Sequence, residues 1–229
     1  MALLARANEL QAAGHDVIHL EIGEPDFTTA EPIIQAGQAA LASGKTRYTA
    51  ARGLPELREA ISGFYRQRYD LTIDPERILI TPGGSGALLL ASSLLVDPGK
   101  HWLLADPGYP CNRHFLRLVE GAAQLVPVGP EVRYQLTADL VARYWDQDSV
   151  GALVASPANP TGTLLARDEL AGLSSAIKAR NGHLVVDEIY HGLTYGTDAA
   201  SVLEVDDEAF VLNSFSKYFG MTGWRLGWL

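Results

Sequence analysis

S-F-S-K-Y-F-G-M-T-G-W-R-L-G-W, from Ser214 to Trp228, is the most informative stretch of this chain, and it follows the apolar, strand-like run 209–212. Lys217 lies beside small hydroxyl side chains, and a lysine amine that is withdrawn from water becomes a nucleophile that forms Schiff bases with carbonyl compounds. Arg225 follows eight residues later, between two glycines, and its planar guanidinium matches phosphate oxygens. The stretch therefore predicts a reactive amine and an anion clamp at the end of a strand.

A second informative stretch is H-L-V-V-D-E-I-Y, residues 183–190, an apolar strand that ends in an acidic pair. Functional groups of open α/β sheets gather at the carboxyl ends of strands. Asp187 is therefore expected to point into a ligand site, with Tyr190 three residues further on. An acid after a strand also commonly caps the following helix, and this alternative stays open.

Polar groups follow an earlier strand-like run in S-P-A-N-P-T-G-T, residues 156–163. Two prolines hold the backbone around Asn159 extended, so its amide is aimed in a fixed direction. Ordinary turn chemistry explains the same residues. Further upstream, Tyr109 projects just beyond the strand-like run 102–105, where its ring is expected either to stack on a flat ligand or to cover the core.

A glycine-rich turn joins the strand-like run 78–81 to an apolar helix. Free N–H groups at the start of a helix bind anions, and the glycines allow a close approach. Gly84 and the hydroxyl of Ser85 are the candidates for such an anion site, although a simple helix cap fits the same residues.

In their order and strand context these stretches resemble the fold-type I pyridoxal-phosphate enzymes, specifically the class I and II aminotransferases. S-x-S-K followed by G-x-R-x-G, and D-x-x-Y, match the family motifs residue for residue. The resemblance implies that Lys217 forms a Schiff base with pyridoxal 5'-phosphate, while Asp187 keeps the ring nitrogen protonated. It also implies contacts to the cofactor's phosphate, phenolic oxygen and ring face from Gly84, Ser85, Tyr109, Asn159, Tyr190, Ser214, Ser216 and Arg225.

Two upstream segments complete the resemblance. I-G-E-P-D-F, residues 22–27, resembles the family's active-site loop, in which Gly23 lets the backbone approach the substrate. The resemblance implies that Asn159 also contacts the substrate. T-R-Y-T-A-A-R-G-L-P-E-L-R, residues 46–58, resembles a segment whose tyrosine enters the neighbouring subunit's site. Tyr48 is then expected to touch the partner's cofactor phosphate, which implies a homodimer with shared sites.

The activity implied by the resemblance is transfer of an amino group between an amino acid and a 2-oxo acid. The same scaffold supports other reactions, so a carbon–sulfur β-lyase and a pyridoxal-phosphate-binding module without turnover remain alternatives. A non-catalytic α/β domain in which Lys217 is structural is a third. The resemblance also implies a division into an amino-terminal segment, 1–21, and a large cofactor domain, 22–229. The carboxy-terminal small domain of the family is expected to be absent, and with it the carboxylate clamp, which predicts impaired activity.

The hydrophobic pattern predicts an α/β fold in which helices alternate with strands, giving a mostly parallel sheet sandwiched by helices. The family implies seven strands. Predicted helices cover 31–42, 55–69, 87–95, 109–120, 137–145 and 167–180, and an amphipathic helical pattern runs from the start of the chain to about Ala13. Predicted strands cover 78–81, 102–105, 124–127, 150–155, 183–187 and 209–212.

Composition limits the possible partners. The 229 residues carry a net charge of -9, which argues against nucleic acid and anionic membranes. Cys111 is the single cysteine, so an intrachain disulfide is impossible and a cytoplasmic location is expected. The sequence predicts no signal peptide, no membrane span and no metal site.

Overall fold

The computed structural model describes residues 2–20 and 22–229. Its centre is a seven-stranded sheet in the order β1-β7-β6-β5-β4-β2-β3. Strand β7 runs antiparallel to both of its neighbours, and the other pairings are parallel. The strands are β1 Ile80–Thr81, β2 His101–Asp106, β3 Ala122–Pro127, β4 Ser149–Ala155, β5 His183–Asp187, β6 Phe210–Ser214 and β7 Gly227–Trp228. The predicted fold class is confirmed.

In the described residues, seven α-helices connect or flank these strands: α1 Ala2–Ala12, α2 Glu31–Ala42, α3 Pro55–Tyr69, α4 Gly83–Leu95, α5 Asn112–Leu118, α6 Ala138–Tyr144 and α7 Arg167–Lys178. Helices α2 and α3 have the predicted bounds. Helix α4 begins four residues earlier than predicted, because the glycine-rich turn itself forms its first turn. Strand β7 was missed, since two residues are too few to give an alternating pattern.

The sheet has a hydrophobic core on each face. Successive residues of β5 point to opposite sides, so that Leu184 and Val186 join one core while Val185 joins the other. The first core contains Leu170, Leu173 and Ile177 of α7, and the second contains Ala87, Leu88 and Ala91 of α4. Parallel strands that are covered on both faces are apolar along their whole length. The strand-like runs in the sequence are apolar for this reason.

An aromatic cluster fixes the β1–β7 end of the sheet. Trp228 of β7 packs edge-on against Phe64 and Phe215, and its indole N–H donates to the Tyr65 hydroxyl at 3.1 Å. The side chains of Ile61 and Tyr65 on α3 are buried in the same cluster. Helix α3 therefore holds the antiparallel strand against the parallel sheet.

Helices α1 and α2 are attached far more loosely than α3. Neither α1 nor α2 has a buried residue. The predicted domain boundary after residue 21 falls on Glu21, which lies outside the described residues together with Met1. Within the described part of the chain, no helix has both the length and the apolar character needed to cross a membrane.

Candidate active site

The segments that the sequence singled out lie at one end of the sheet. Strands β4, β5 and β6 are adjacent and parallel, so the segments after Ala155, Asp187 and Ser214 lie side by side. Strand β7 joins Ser214 and Thr81 through one residue, Gly227, which pairs with both. The glycine-rich start of α4 is thereby placed next to the lysine segment.

Asp187 ends β5 as a half-buried carboxylate. One of its oxygens accepts the backbone N–H of Ile189 at 3.0 Å. Burial raises the pKa of Asp187 to about 6, while that N–H and the charge of Lys217 act in the opposite direction. Such a carboxylate gains from any cationic partner that shields it from the apolar surroundings.

Lys217 is half-buried and close to that carboxylate. Its ammonium donates to the carbonyl oxygen of Gly23 and lies 5.8 Å from the centre of the Tyr190 ring. Burial lowers the pKa of Lys217, and the charges of Glu24 and Asp187 partly oppose the shift. Withdrawal from water thus favours the neutral, nucleophilic amine, as the sequence predicted.

Asn159 and Tyr190 form a pair beside Asp187. The Asn159 amide donates to the Tyr190 hydroxyl at 3.2 Å. Burial raises the pKa of Tyr190, the charge of Asp187 raises it further, and the bond from Asn159 lowers it. Two hydrogen-bond donors, an amide and a phenol, are therefore held at adjacent positions.

The start of α4 forms a cradle with Arg225. A Cβ atom on Gly83, whose φ is +72°, would lie 2.3 Å from an Nη atom of Arg225, so only glycine lets the guanidinium approach. Arg225 donates to the Thr222 carbonyl oxygen at 2.7 Å. None of the described side chains caps this helix start. Exposed N–H groups and a guanidinium therefore meet at one place, which suits a phosphate group.

Gly227 lets the lysine segment pack onto this cradle. A Cβ there would lie 2.7 Å from the backbone carbon of Gly83 and 2.9 Å from the nitrogen of Gly84. The neighbouring Ser214 hydroxyl accepts the N–H of Ser216 at 3.0 Å, and its oxygen lies 2.7 Å from the Ser216 hydroxyl. Both serines are buried, so they shape the turn that carries Lys217. Their contact with a cofactor stays a prediction.

Tyr109 follows β2 and is 43% exposed. A hydrogen bond with Cys111 raises the pKa of Tyr109 to about 12, with further contributions from burial and from Cys111, Tyr190 and Asp187. Tyr109 and Asn159 both line a cavity of about 160 Å³. The ring is thus available to a flat ligand, and its stacking role stays a prediction.

The side chains of two predicted residues are exposed. Tyr48 is fully exposed on the loop between α2 and α3. Ser85 is exposed in the first turn of α4. Conversely, sequence patterns did not identify the contacts made by Gly83, Glu188 and His191. Gly83 was part of the glycine-rich turn, but its contact with Arg225 joins residues that are far apart in the chain.

A second cavity of about 400 Å³ opens beside the lysine segment. It is lined by Glu24, Phe27 and Thr29 from the loop before α2 and by residues of the turn 220–224. Among the described residues, no group of three or more His, Cys, Asp and Glu side chains is arranged to hold a metal ion. The cradle at Arg225 suits the anionic end of a ligand, and the half-buried amine of Lys217 suits a carbonyl group.

Pyridoxal 5'-phosphate fits these residues. It needs an amine for its aldehyde, a carboxylate for its ring nitrogen, donors for its phenolic oxygen and a phosphate cradle. Lys217, Asp187 and the pair Asn159–Tyr190 are within reach of one another, and the cradle at Gly83 is the kind of space that a Cβ atom would fill.

Comparisons with known proteins agree with this chemistry. The family model described as aminotransferase class I and II matches residues 15–229. The chain is 42% identical to a valine–pyruvate aminotransferase of Mycobacterium tuberculosis over 97% of its length, which covers 58% of that protein. It is 35% identical to an aspartate aminotransferase of Thermotoga maritima over its whole length, covering 62% of that enzyme.

Solved structures show the same similarity. A crystal structure of an aminotransferase from Mycobacterium tuberculosis matches the whole chain with a TM-score of 0.94 at 41% identity, over 59% of that structure's chain. The aspartate aminotransferase of Thermus thermophilus with maleate matches 99% of the chain with a TM-score of 0.94 at 34% identity, over 60% of its own chain. The chain thus spans about 60% of the length of these relatives, and it belongs to the class I and II aminotransferase family.

Proposed function

We propose that this chain carries the cofactor site of a pyridoxal-phosphate-dependent aminotransferase, which moves an amino group between an amino acid and a 2-oxo acid. The observation that carries the proposal is the half-buried Lys217, whose pKa is lowered, within range of the Asp187 carboxylate and the Tyr190 ring. Family membership supports the same activity. Because the chain spans about 60% of its relatives, the activity of the whole protein is part of the proposal.

When bound, pyridoxal phosphate supplies an electron sink for the bonds at an amino acid's α-carbon. Asp187 would hold the proton on its ring nitrogen, and the cationic ring would in turn stabilise the buried carboxylate. Asn159 and Tyr190 would hold the phenolic oxygen. Arg225 and the N–H groups at the start of α4, including Gly84 and Ser85, would hold the phosphate, with Ser214 and Ser216 behind them.

Lys217 would have two tasks in this site. Its amine would hold the cofactor at its carbonyl carbon. When unbound, its Nζ atom would accept a proton from the substrate's α-carbon and later return it. Both tasks need an unprotonated amine near neutral pH, and burial of Lys217 favours that form. The hydrogen bond to the Gly23 carbonyl orients the amine toward the loop that would border the substrate.

The remaining assignments concern the assembly. We propose a homodimer in which the fully exposed Tyr48 touches the partner's cofactor phosphate. We also propose that residues 22–229 form the large domain and that the segment 1–21 packs with a second, smaller domain. The exposed apolar side chains of Leu3, Ile18 and Leu20 support that packing. A cytoplasmic location is proposed from the single cysteine.

The proposal is tested by trapping the cofactor. The chain is mixed with pyridoxal phosphate, reduced with borohydride and mapped by peptide mass spectrometry, with Lys217→Arg as the matched control. We expect one label, on Lys217, and none in the control. A label that is absent, or that is spread equally over other lysines in both proteins, would contradict the proposal.

Turnover is tested separately, because the named relatives act on different amino acids. Valine, aspartate, alanine and an S-substituted cysteine, whose Cβ–S bond a β-lyase can break, are each incubated with the loaded chain, and keto acid, thiol and ammonia are measured. Keto acid without ammonia supports transamination. Ammonia release indicates the β-lyase alternative, and labelling of Lys217 with neither product indicates a binding module.

A further inference from the structure

A buried polar network lies directly behind the Asp187–Tyr190 turn. His191 is 5% exposed, and its Nε2 atom lies 2.9 Å from the carbonyl oxygen of Ser156. Its Nδ1 atom lies 2.7 Å from the hydroxyl of Tyr69 on α3. Since a carbonyl oxygen only accepts, Nε2 carries the ring proton, and the Tyr69 hydroxyl donates to Nδ1 of the neutral ring.

The surroundings keep this imidazole neutral. Burial lowers the pKa of His191 to about 4, and the charge of Arg68 on α3 lowers it further, while the bond to Ser156 opposes the shift. Glu188 is completely buried, with an oxygen 3.6 Å from Nδ1, and burial raises the pKa of Glu188 to about 8. Both side chains therefore remain uncharged near pH 7, and the ring has one fixed tautomer.

Glu188 fixes the turn from its other side. Its carboxyl accepts the N–H of Val202 at 2.8 Å and the hydroxyl of Ser201 at 3.0 Å. The backbone N–H of His191 also donates to the Glu188 carbonyl oxygen at 3.0 Å. The turn that carries Tyr190 is thus anchored at both ends before any ligand binds.

Ser156 is where this network meets the candidate active site. Its backbone N–H donates to the Asp187 carbonyl oxygen, its hydroxyl accepts from Leu165, and its carbonyl accepts from His191. Three residues later, Asn159 donates to the Tyr190 hydroxyl. The same two segments, 156–159 and 190–191, are therefore joined by two side-chain bonds, one buried and one facing the site.

We propose that His191 is a positioning residue, whose neutral ring ties the Ser156 carbonyl to Tyr69 and thereby holds the Asn159 amide and the Tyr190 hydroxyl as paired donors for one ligand oxygen. The proposal rests on the proposed function only in identifying that oxygen as the phenolic oxygen of pyridoxal phosphate. The alternative is that His191 merely fills space between α3 and β5.

Two substitutions separate these roles. In His191→Gln the side-chain amide reaches the place of Nε2 and still donates to Ser156, whereas in His191→Asn the shorter side chain does not. Both remove the ring and its packing. Tyr69→Phe removes the second bond and keeps the ring volume. Tyr65→Phe is its control, because the Tyr65 hydroxyl accepts from Trp228 and has no bond to His191.

The first experiment measures two quantities for each variant. One is the affinity for pyridoxal phosphate, and the other is the pH midpoint at which the absorbance of the bound cofactor changes. Weakened bonds to the phenolic oxygen raise the pH midpoint of the absorbance change. We expect His191→Asn to weaken binding about five- to tenfold, since a hydrogen bond contributes about 1 kcal/mol. His191→Gln should stay within about threefold with the parent's midpoint. Equal losses of cofactor affinity and equal pH midpoints in His191→Asn and His191→Gln would mean that His191 acts only through packing.

The second measurement needs no cofactor. In proton–nitrogen spectra of the cofactor-free chain, the Asn159 side-chain amide signal should move most in His191→Asn. It should move less in Tyr69→Phe and His191→Gln, which lose the bond between Tyr69 and the ring but keep the bond to Ser156. It should stay in place in Tyr65→Phe. A signal unmoved in Tyr69→Phe and His191→Asn overturns the proposal. If the parent chain fails to bind pyridoxal phosphate, the proposed function fails while this measurement still decides the role of His191.

Discussion

The end of the sheet around Lys217 and the amino-terminal segment before α3 are built in opposite ways. Helix α7 buries Leu170, Leu173 and Ile177 completely, and Ser214 and Trp228 are nearly as inaccessible. In contrast, α1 and α2 bury no residue, and Phe27 in the loop before α2 is 85% exposed. The first region is held by close packing. The second is held mainly by a few polar contacts.

The polar contacts of the loop before α2 reach the segment 217–224. The Thr29 hydroxyl donates to the Gly220 carbonyl oxygen at 2.8 Å and accepts from the Trp224 indole at 3.0 Å, while Lys217 donates to Gly23. The cofactor side of the site is therefore complete within the sheet, whereas the side that would border the substrate depends on a lightly attached loop. Binding of cofactor and binding of substrate should respond differently to mutation.

The largest effect is expected from shortening a buried leucine. Leu173→Ala leaves a cavity in the core and should lower the free energy of unfolding by about 3 kcal/mol. Leu3→Ala, on the 67% exposed Leu3 of α1, should change it by less than about 0.5 kcal/mol. Urea denaturation of the two variants beside the parent measures both. Equal losses would mean that α1 is packed as tightly as α7.

A glycine substitution tests the contact between the cradle and the lysine segment. In Gly227→Ala the new methyl group meets backbone atoms of Gly83, Gly84 and Asn213 at less than 3 Å. Overpacking should cost about 2 kcal/mol and weaken pyridoxal phosphate binding at least about tenfold. Gly223→Ala is the matched control, because nothing described lies within 4 Å of its new Cβ. Similar affinities for the two variants would show that the cradle tolerates displacement.

The buried carboxyl of Glu188 gives the packed region a pH dependence. Its pKa is about 8 in the folded chain and about 4.5 when unfolded, so the folded chain keeps a proton that the unfolded chain releases. Stability therefore falls as pH rises toward 8. Below pH 6.5 the lowered pKa of His191 acts in the opposite direction, so the window from 6.5 to 8 isolates Glu188.

Glu188→Gln retains an acceptor for Val202 and removes this titration. Between pH 6.5 and 8 the parent should lose about 1–2 kcal/mol more stability than the variant. Denaturation of the cofactor-free proteins at both pH values measures the difference. Parallel curves would indicate that Glu188 does not change its protonation in this window.

The smallest effect is expected in the loop before α2. Thr29→Val removes both hydrogen bonds of the hydroxyl and should cost less than about 1 kcal/mol of global stability. Amide hydrogen exchange in residues 22–30 should nevertheless become faster, because little else holds the loop. Thr28→Val, at an exposed neighbouring position, serves as the control. Unchanged exchange in Thr29→Val would mean that the loop is secured by other contacts.

Much of the fold was predictable because its signals are local. The bounds of α2, α3 and β5 follow from apolar periodicity, from proline at helix starts and from the turn before His183. Strand β7 was not predictable in this way, since Gly227 and Trp228 form a strand only by pairing with β1 and β6. The early start of α4 likewise depends on Gly83, whose positive φ of +72° accompanies a close approach to the distant Arg225.

The helices, the strands β1 to β6, the family resemblance and the candidate site residues could be read from the amino-acid sequence. This is because motif spacing and hydrophobic periodicity are properties of residues that are close in the chain. Only the tertiary structure decided that Gly83 must be glycine to admit Arg225 and that His191 and Tyr69 stand behind Asn159 and Tyr190. The contacts of Gly83 with Arg225 and of Tyr69 with His191 join residues separated by more than a hundred positions, and their distances are fixed by the packing of the sheet and not by any local pattern.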